Sequence, residues 1–255
     1  MDAFPRKASN SYNIVVAIIR AIPPIQDVRL VPAPTKRTRR SAKPPKLDLA
    51  PKMTPAQSRA AETYEHLLDV TAQVLAEVGF EQLSTNLVCQ RAGLSPPALY
   101  RYFPNKYALL HELGLRLMHQ QNALIDQWLT PAAFESAAAL EKTLTGLLLE
   151  TYEVTRKAAG GIWIMRALRA IPMLQDVRLE SAGEVAAQAT ARLSAAFPEI
   201  PREELQLISR VADSMAFAAL EMLFDDPSLD APSVMRLVAA SLASHLQRLQ
   251  AEAKP

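Results

Sequence analysis

The feature that most constrains the fold is the return of apolar side chains every three or four residues from residue 55 onward. In the first such stretch one face carries Tyr64, Leu67, Leu68, Thr71, Val74, Leu75 and Val78. This spacing predicts an amphipathic helix, and Gly79 then predicts its end. The chain has only seven glycines, and its many Ala, Leu, Glu, Gln and Arg residues favour helix. We therefore expect an all-α fold.

Eight further helices are predicted between the prolines and glycines that interrupt this spacing. They cover 84–92, 96–103, 105–129, 135–159, 162–170, 174–197, 202–225 and 232–252. Ser84 and Ser95 are the expected N-caps of the first two, and Pro96 takes the first helical position, where a missing N–H costs nothing. Gly93 and Pro104 are expected to end these two helices.

The first 54 residues differ from the rest in composition. They contain eight prolines, and residues 1–52 hold eleven Lys and Arg against three Asp and Glu, a net charge of +8. The remaining 203 residues hold seventeen against twenty-three, a net charge of −6. We expect a flexible, basic, Pro-rich tail over 1–54, whose charge fits either a polyanionic partner or a solvated segment.

The tail also contains an internal repeat. Residues 20–30, RAIPPIQDVRL, match residues 169–179, RAIPMLQDVRL, at nine of eleven positions. One pair without a further period does not make a repeat array. A partial duplication explains it, and a second hypothesis is that the first copy competes for the packing site of the second.

Several classes of protein are disfavoured. The single cysteine rules out an internal disulfide and fits a reducing cytoplasm. Near the start, the longest apolar run is Ile14–Ile19, about a third of a membrane span, so we expect neither export nor anchoring but a cytoplasmic protein. The histidines lack metal-ligand spacing, and no phosphate loop, HExxH or GxSxG motif is present. We expect no enzyme, no catalytic residues, no metal and no cofactor.

The short helices at 84–92 and 96–103 are joined by AGLS, which has the length and composition of the turn in a helix-turn-helix. The second helix would expose Tyr100, Arg101 and Tyr102 in succession, and Lys106 follows. Tyr hydroxyls and Lys can bond phosphates, and Arg can reach a guanine edge or a phosphate. The motif predicts double-stranded DNA as a partner, although Tyr100 and Tyr102 could also be half-buried aromatics.

Residues 61–110 resemble the DNA-binding domain of the TetR family, the tetracycline-repressor-like regulators. The resemblance rests on GF at 79–80, RAGLS at 91–95, LYRYFPNK at 99–106 and ALL at 108–110. It implies a homodimer on an operator with dyad symmetry, and a C-terminal helical domain that holds a small molecule and dimerises through its last two long helices. The implied organisation is a tail at 1–54, a helix-turn-helix domain at 55–106 and a ligand-binding and dimerisation domain at 107–255.

The resemblance also assigns roles to single residues. Ser84 or Thr85 would contact phosphate; Pro96, Pro97 and Ala98, after the cap Ser95, would face bases; Tyr100 and Lys106 would clamp phosphates; Arg101 and Tyr102 would contact bases or backbone. The family often has polar or small residues where this chain has two prolines. Because proline offers no N–H and no polar side chain, direct reading there must be apolar, for example toward thymine methyl groups.

The run TKRTRRSAKPPK at 35–46 is a candidate arm along the DNA backbone or minor groove. Residues 53–106 hold four basic and five acidic side chains. The motif is therefore not electropositive by itself, and the arm could supply much of the salt-sensitive affinity.

Two predictions concern the C-terminal part. Helix 202–225 is apolar nearly all round and helix 232–252 on one face, which predicts a four-helix bundle between two chains; closure of a monomeric core is the alternative. A pocket is expected between helices 135–159, 162–170, 174–197 and 202–225. Its proposed walls are Tyr152, Trp163, Met165 and Phe217, with Arg166 or Asp213 as polar anchor, although such residues are often plain core.

The sequence thus favours a ligand-responsive DNA-binding transcriptional regulator, most simply a repressor that a small molecule releases from a palindromic operator. An activator of the same fold and a helical protein-interaction adaptor are the alternatives.

Overall fold

The computed structural model describes residues 48–52 and 58–253 of the chain. Within these ranges the protein forms nine α-helices and no strand, which confirms the all-α prediction. The helices are α1 Ser58–Gln82, α2 Thr85–Ala92, α3 Pro96–Tyr100, α4 Lys106–Trp128, α5 Ala137–Lys157, α6 Gly161–Ala170, α7 Gln175–Ala196, α8 Arg202–Asp225 and α9 Ala231–Ala253. The predicted tail up to residue 47, with its basic run and the first copy of the repeat, lies outside the described residues.

Helix boundaries agree with the predicted ones except around the helix-turn-helix. Helix α3 ends at Tyr100 rather than at 103, because the N–H of Tyr102 turns back to the carbonyl of Leu99 at 2.9 Å. Helix α1 is interrupted at Gly79, as predicted, where φ is 72° and ψ is 174°. A side chain at that position would be strained, so only glycine allows the short final turn that reaches Gln82.

One continuous core runs through the molecule and determines how the helices are arranged. It includes Leu67 and Leu75 of α1, Phe103 after α3, Leu109 of α4 and Leu168 of α6, each no more than 1 % exposed. A smaller cluster gathers Leu140, Phe197, Leu205 and Leu246 from α5 to α9. Helix α9 packs mainly on α5, α8 packs on α7, and α4 contacts both α5 and α7.

Helix α6 lies directly against α1, and a glycine makes this approach possible. Gly160 precedes α6 with φ 65°, and a Cβ there would stand 2.7 Å from the carbonyl oxygen of Ala72 in α1. Trp163 packs beside Gly79, where a Cβ would meet its ring at 3.2 Å. Helices α1 and α6 are thus joined by close backbone contact, which leaves little room for adjustment.

Candidate nucleic-acid interface and ligand cavity

The structure forms the predicted helix-turn-helix, and α2 has the capping residues that the sequence indicates. The hydroxyl oxygen of Ser84 accepts a hydrogen bond from the N–H of Leu87 at 3.2 Å at the start of α2. Gly93 ends α2 in the left-handed region at φ 64°, and the N–H of Leu94 donates to the carbonyl of Cys89 at 3.0 Å. Buried Val88 and Cys89 fix α2 on the core, so the turn delivers α3 at a set angle.

Helix α3 presents its first turn to solvent. Ser95 stands at the N-cap position, but its hydroxyl makes no capping bond, unlike that of Ser84. Ser95, Pro96 and Pro97 are exposed and Ala98 is half-buried, whereas Leu99 is fully buried. The apolar edge of α3 and the hydroxyl of Ser95 are therefore accessible to a partner as large as double-stranded DNA.

Tyr100 is held in place by its neighbour in α2. Its side chain is 41 % exposed, and its hydroxyl lies 2.9 Å from Oγ1 of Thr85. Arg101 follows on the exposed surface. The structure therefore brings Ser84, Thr85, Tyr100 and Arg101 onto the exposed side of the motif, where hydroxyl and guanidinium donors can reach phosphate oxygens.

Tyr102 was expected on this surface and is instead in the core. It is 4 % exposed, and its ring meets that of Tyr64 edge-on at 6.1 Å between centroids. The early end of α3 is the reason, because the turn after Tyr100 rotates position 102 inward beside Phe103. A buried ring does not reach a base, so the expected base or backbone contact of Tyr102 is wrong.

Lys106 is also engaged differently from the prediction. Its Nζ lies 3.2 Å from the carbonyl oxygen of Phe80, 3.0 Å from that of Leu83 and 3.5 Å from that of Glu81. An ammonium group has three donors, and these carbonyls at the end of α1 take them. Lys106 therefore caps α1 and links it to the start of α4, and the phosphate clamp expected of it stays a prediction.

Sequence reasoning missed a contact between residues 48–52 and the motif. The N–H of Lys52 donates to the carbonyl of Tyr102 at 2.8 Å, and Nδ2 of Asn105 donates to the carbonyl of Asp48 at 2.9 Å. Leu49 packs against the main core. The only sequence signal was Asn105 itself, an N-cap residue whose Oδ1 accepts from the N–H of Ala108 at 3.0 Å.

A cavity of about 140 Å³ lies between α4, α5, α7 and α8. Its walls are mainly apolar, with Leu144, Leu148, Phe217 and Leu220 among them. Phe217 and Asp213 line it, as the sequence suggested. Burial raises the pKa of the Asp213 carboxyl, and the positive charge of Arg178 partly opposes this shift.

The other four predicted pocket residues do not line this cavity. Tyr152 stacks on Phe224 at 5.2 Å between centroids, and Met165 is buried in the main core. Trp163 packs against Phe80 of α1, while Arg166 lies over the Trp163 ring and pairs with Asp225 at 2.9 Å. The reason is that α6 turns its apolar face to α1, so α4 rather than α6 completes the cavity wall.

Polar groups from α4 and α7 enter the cavity and were not predicted. Nδ2 of Asn122 donates to Glu184 at 3.2 Å, and the hydroxyl of Ser181 donates to Oδ1 of Asn122 at 3.0 Å. Nε2 of Gln121 donates to the hydroxyl of Thr155 at 2.7 Å. The available signal was Asn122, a polar residue on the otherwise apolar face of α4.

Two further properties concern the described ranges alone. No helix there is both long and apolar enough to cross a bilayer. The same residues contain no group of three or more His, Cys, Asp or Glu side chains placed to hold a metal ion.

Comparisons with known proteins agree with this geometry. Residues 67–113, from α1 into α4, match the profile of "Bacterial regulatory proteins, tetR family". No curated protein matches the chain significantly. A tetR-family transcriptional regulator from Streptomyces coelicolor has a similar structure, with a TM-score of 0.59 and 16 % identity over 76 % of this chain and 83 % of that one. Salmonella enterica GusR superposes with a TM-score of 0.53 and 21 % identity over 77 % of this chain and 100 % of its own.

At these identities the solved structures establish the fold alone, whereas the profile covers the helix-turn-helix itself. The two findings agree with the arrangement of α2 and α3 and with the cavity among the later helices. Residues 67–113 therefore match the DNA-binding region of the tetR family of bacterial regulatory proteins, and the described helices have the fold of solved TetR-family transcriptional regulators.

Proposed function

We propose that this protein is a ligand-responsive repressor, which binds a palindromic operator as a homodimer and leaves it when a small molecule occupies the cavity. The observation that carries the proposal is the exposed first turn of α3 beside a tyrosine whose hydroxyl is held by Thr85. A helix used only for packing would not leave Ser95, Pro96 and Pro97 in solvent. The proposed division is a tail at 1–54, a DNA-binding domain at 55–106 and an effector and dimerisation domain at 107–255.

The proposed DNA contacts follow from exposure. Pro96, Pro97 and Ala98 offer an apolar edge that suits thymine methyl groups in a major groove. Ser84, Thr85, Tyr100 and Arg101 surround this edge and suit phosphate oxygens. With few base-directed hydrogen bonds available, DNA shape would supply part of the specificity.

The proposed dimer face lies on α8 and α9. Leu207, Val211 and Met222 are 63 %, 46 % and 46 % exposed along one side of α8, and Leu237 of α9 is 70 % exposed. Covering these large apolar side chains with a partner would remove apolar surface from water and so stabilise an assembly. A second copy would cover them in a four-helix bundle with dyad symmetry.

The proposed release depends on helices that connect both sites. Helix α4 begins at Lys106, which caps α1, and further along it lines the cavity with Gln121 and Asn122. A ligand changes DNA binding only by its different affinity for the two arrangements of these helices.

The test is fluorescence anisotropy of the full chain on a duplex from its own promoter region and on a scrambled duplex, at two salt concentrations. We expect tight binding to the promoter duplex and weak, salt-sensitive binding to the scrambled one. Equal weak binding to both duplexes by a folded dimer would contradict sequence-specific regulation.

A further inference from the structure

A second cavity adjoins the first one. It is a groove of about 470 Å³ between α7 and α8. Arg178, Ala182 and Asp213 line both the groove and the inner cavity. The two spaces therefore border each other at these three residues.

The groove is strongly basic. Arg178, Arg202 and Arg210 line it, against Asp213 as the single carboxylate in its lining. Seven other arginines take part in the ion pairs found among the described residues, but none of these three does. Guanidinium groups bind carboxylates and phosphates through paired hydrogen bonds, so the groove is suited to an acidic group.

Arg178 is placed at the junction by its surroundings. Its guanidinium carbon lies 5.3 Å from the centre of the Phe217 ring, which is itself a wall of the inner cavity. The stacking fixes the guanidinium where the apolar and basic spaces meet. Gly183 also lines the groove and borders open space, since a Cβ there would meet no atom within 4 Å.

We propose that the two spaces form one binding site for an amphiphilic acid, an apolar molecule that ends in a single acidic group. The apolar part occupies the inner cavity among Leu144, Leu148 and Phe217, and the acidic group binds Arg178 with Arg202 and Arg210 around it. This names the effector class of the regulator proposed above and therefore rests on that function.

An acid fits this site better than an amine does. Three guanidinium groups against one carboxylate leave a net charge of +2 at the groove, which repels a cation. Burial also raises the pKa of Asp213, which favours its neutral form and weakens its repulsion of a bound acid.

The test is isothermal titration of the full chain with octanoate, decanoate and decyl phosphate, beside decanol and decylamine, all below their micelle concentrations. We expect one of the acids to bind about tenfold or more tightly than decanol, and decylamine to bind more weakly still. The comparison of decanoate with decyl phosphate shows which acidic group the groove prefers. Equal affinity for the acids and for decanol would overturn the proposal.

Substitutions locate the site. Arg178→Gln is expected to lower the affinity for the preferred acid by about tenfold or more. Should that variant not fold, the double variant Arg202→Gln with Arg210→Gln changes two exposed residues and is expected to weaken binding in the same direction. Arg156→Gln is the matched control, since Arg156 pairs with Glu153 on the surface of α5. Equal loss in the control would refute a specific site.

The same preparations distinguish this proposal from the proposed function. Promoter-specific DNA binding without any acid binding would refute the effector class and leave the regulator standing. Acid binding that depends on Arg178, without any preference for promoter DNA, would refute the regulator and leave the ligand class standing.

Discussion

At the scale of single residues, environment separates side chains that look alike in the sequence. Tyr100 and Tyr102 flank the same arginine, yet one is 41 % exposed and the other 4 %. Ser84 and Ser95 both precede a short helix, yet only Ser84 makes a capping bond. Because Tyr100 and Ser95 are exposed, DNA can reach their hydroxyl groups, whereas buried Tyr102 stabilises the core.

Replacing Tyr100 by Phe tests this difference, because it removes the hydroxyl and keeps the ring. We expect affinity for the promoter duplex to fall about tenfold, the size of one hydrogen bond to a charged group, with little change in thermal stability. Tyr102→Phe is the matched control, and its DNA affinity should stay close to that of the wild type. The measurement is the anisotropy titration, and equal losses in the two variants would refute the assignment.

Asp213 gives a pH-dependent prediction. Since burial raises its pKa above the ordinary value of 3.8, the folded state holds the proton more firmly than the unfolded chain does. The proton bound to Asp213 therefore stabilises the fold fully below the pKa of the unfolded chain. This stabilisation is lost as pH rises through the higher pKa of the folded state. Asp213→Asn removes this dependence, so its melting temperature relative to wild type should increase from pH 4 to pH 7. A constant difference across that range would contradict the expected shift.

At the scale of helices, the close approach of α6 to α1 depends on Gly160. Alanine there would combine a left-handed backbone with a Cβ 2.7 Å from a main-chain oxygen of α1. Neither atom belongs to a flexible side chain, so the two helices would have to separate. This contact is also where the C-terminal helices meet the DNA-binding helices.

Gly160→Ala is expected to cost about 2 kcal/mol or more and to lower the melting temperature by about 5 °C. Gly183→Ala is the matched control, because Gly183 lies within α7 with open space around it. That substitution should leave stability unchanged or raise it by about 0.5–1 kcal/mol. Thermal unfolding, monitored by circular dichroism, compares the two variants. A melting temperature of Gly160→Ala equal to that of the wild type would show that α6 can shift freely.

At the scale of the whole molecule, the proposed dimer depends on the exposed apolar side chains of α8 and α9. We expect Leu207→Glu combined with Leu237→Glu to convert a dimer into a monomer and to weaken operator binding strongly, since each half-site would then be bound alone. Met173→Glu, on a residue 37 % exposed outside these two helices, should leave the dimer intact. Sedimentation velocity measures the oligomeric state of each variant. A dimer that persists after the double substitution would place the interface elsewhere.

The basic run at 36–46 gives the other prediction at this scale. Residues 48–52 are held to the motif through Lys52 and Asn105, so this described segment lies beside the DNA-binding helices. Deleting residues 1–47 should flatten the dependence of log affinity on log salt by about 0.9 for each phosphate that the arm no longer neutralises. Replacing the six Lys and Arg residues of 36–46 by Gln in the full chain should reproduce the effect. An unchanged slope would exclude the arm.

Local sequence patterns are enough to predict the helices, most of their boundaries and the presence of the helix-turn-helix. These depend on apolar spacing, caps and breakers within a few residues, as at Ser84, Gly79 and Gly93. The tertiary structure alone decided that Tyr102 turns inward, that Lys106 caps α1 and that α4 rather than α6 borders the cavity. The physical reason is that local spacing says which face of a helix is apolar, but not which neighbour covers it. That choice depends on distant contacts, such as the packing of α6 against α1 at Gly160.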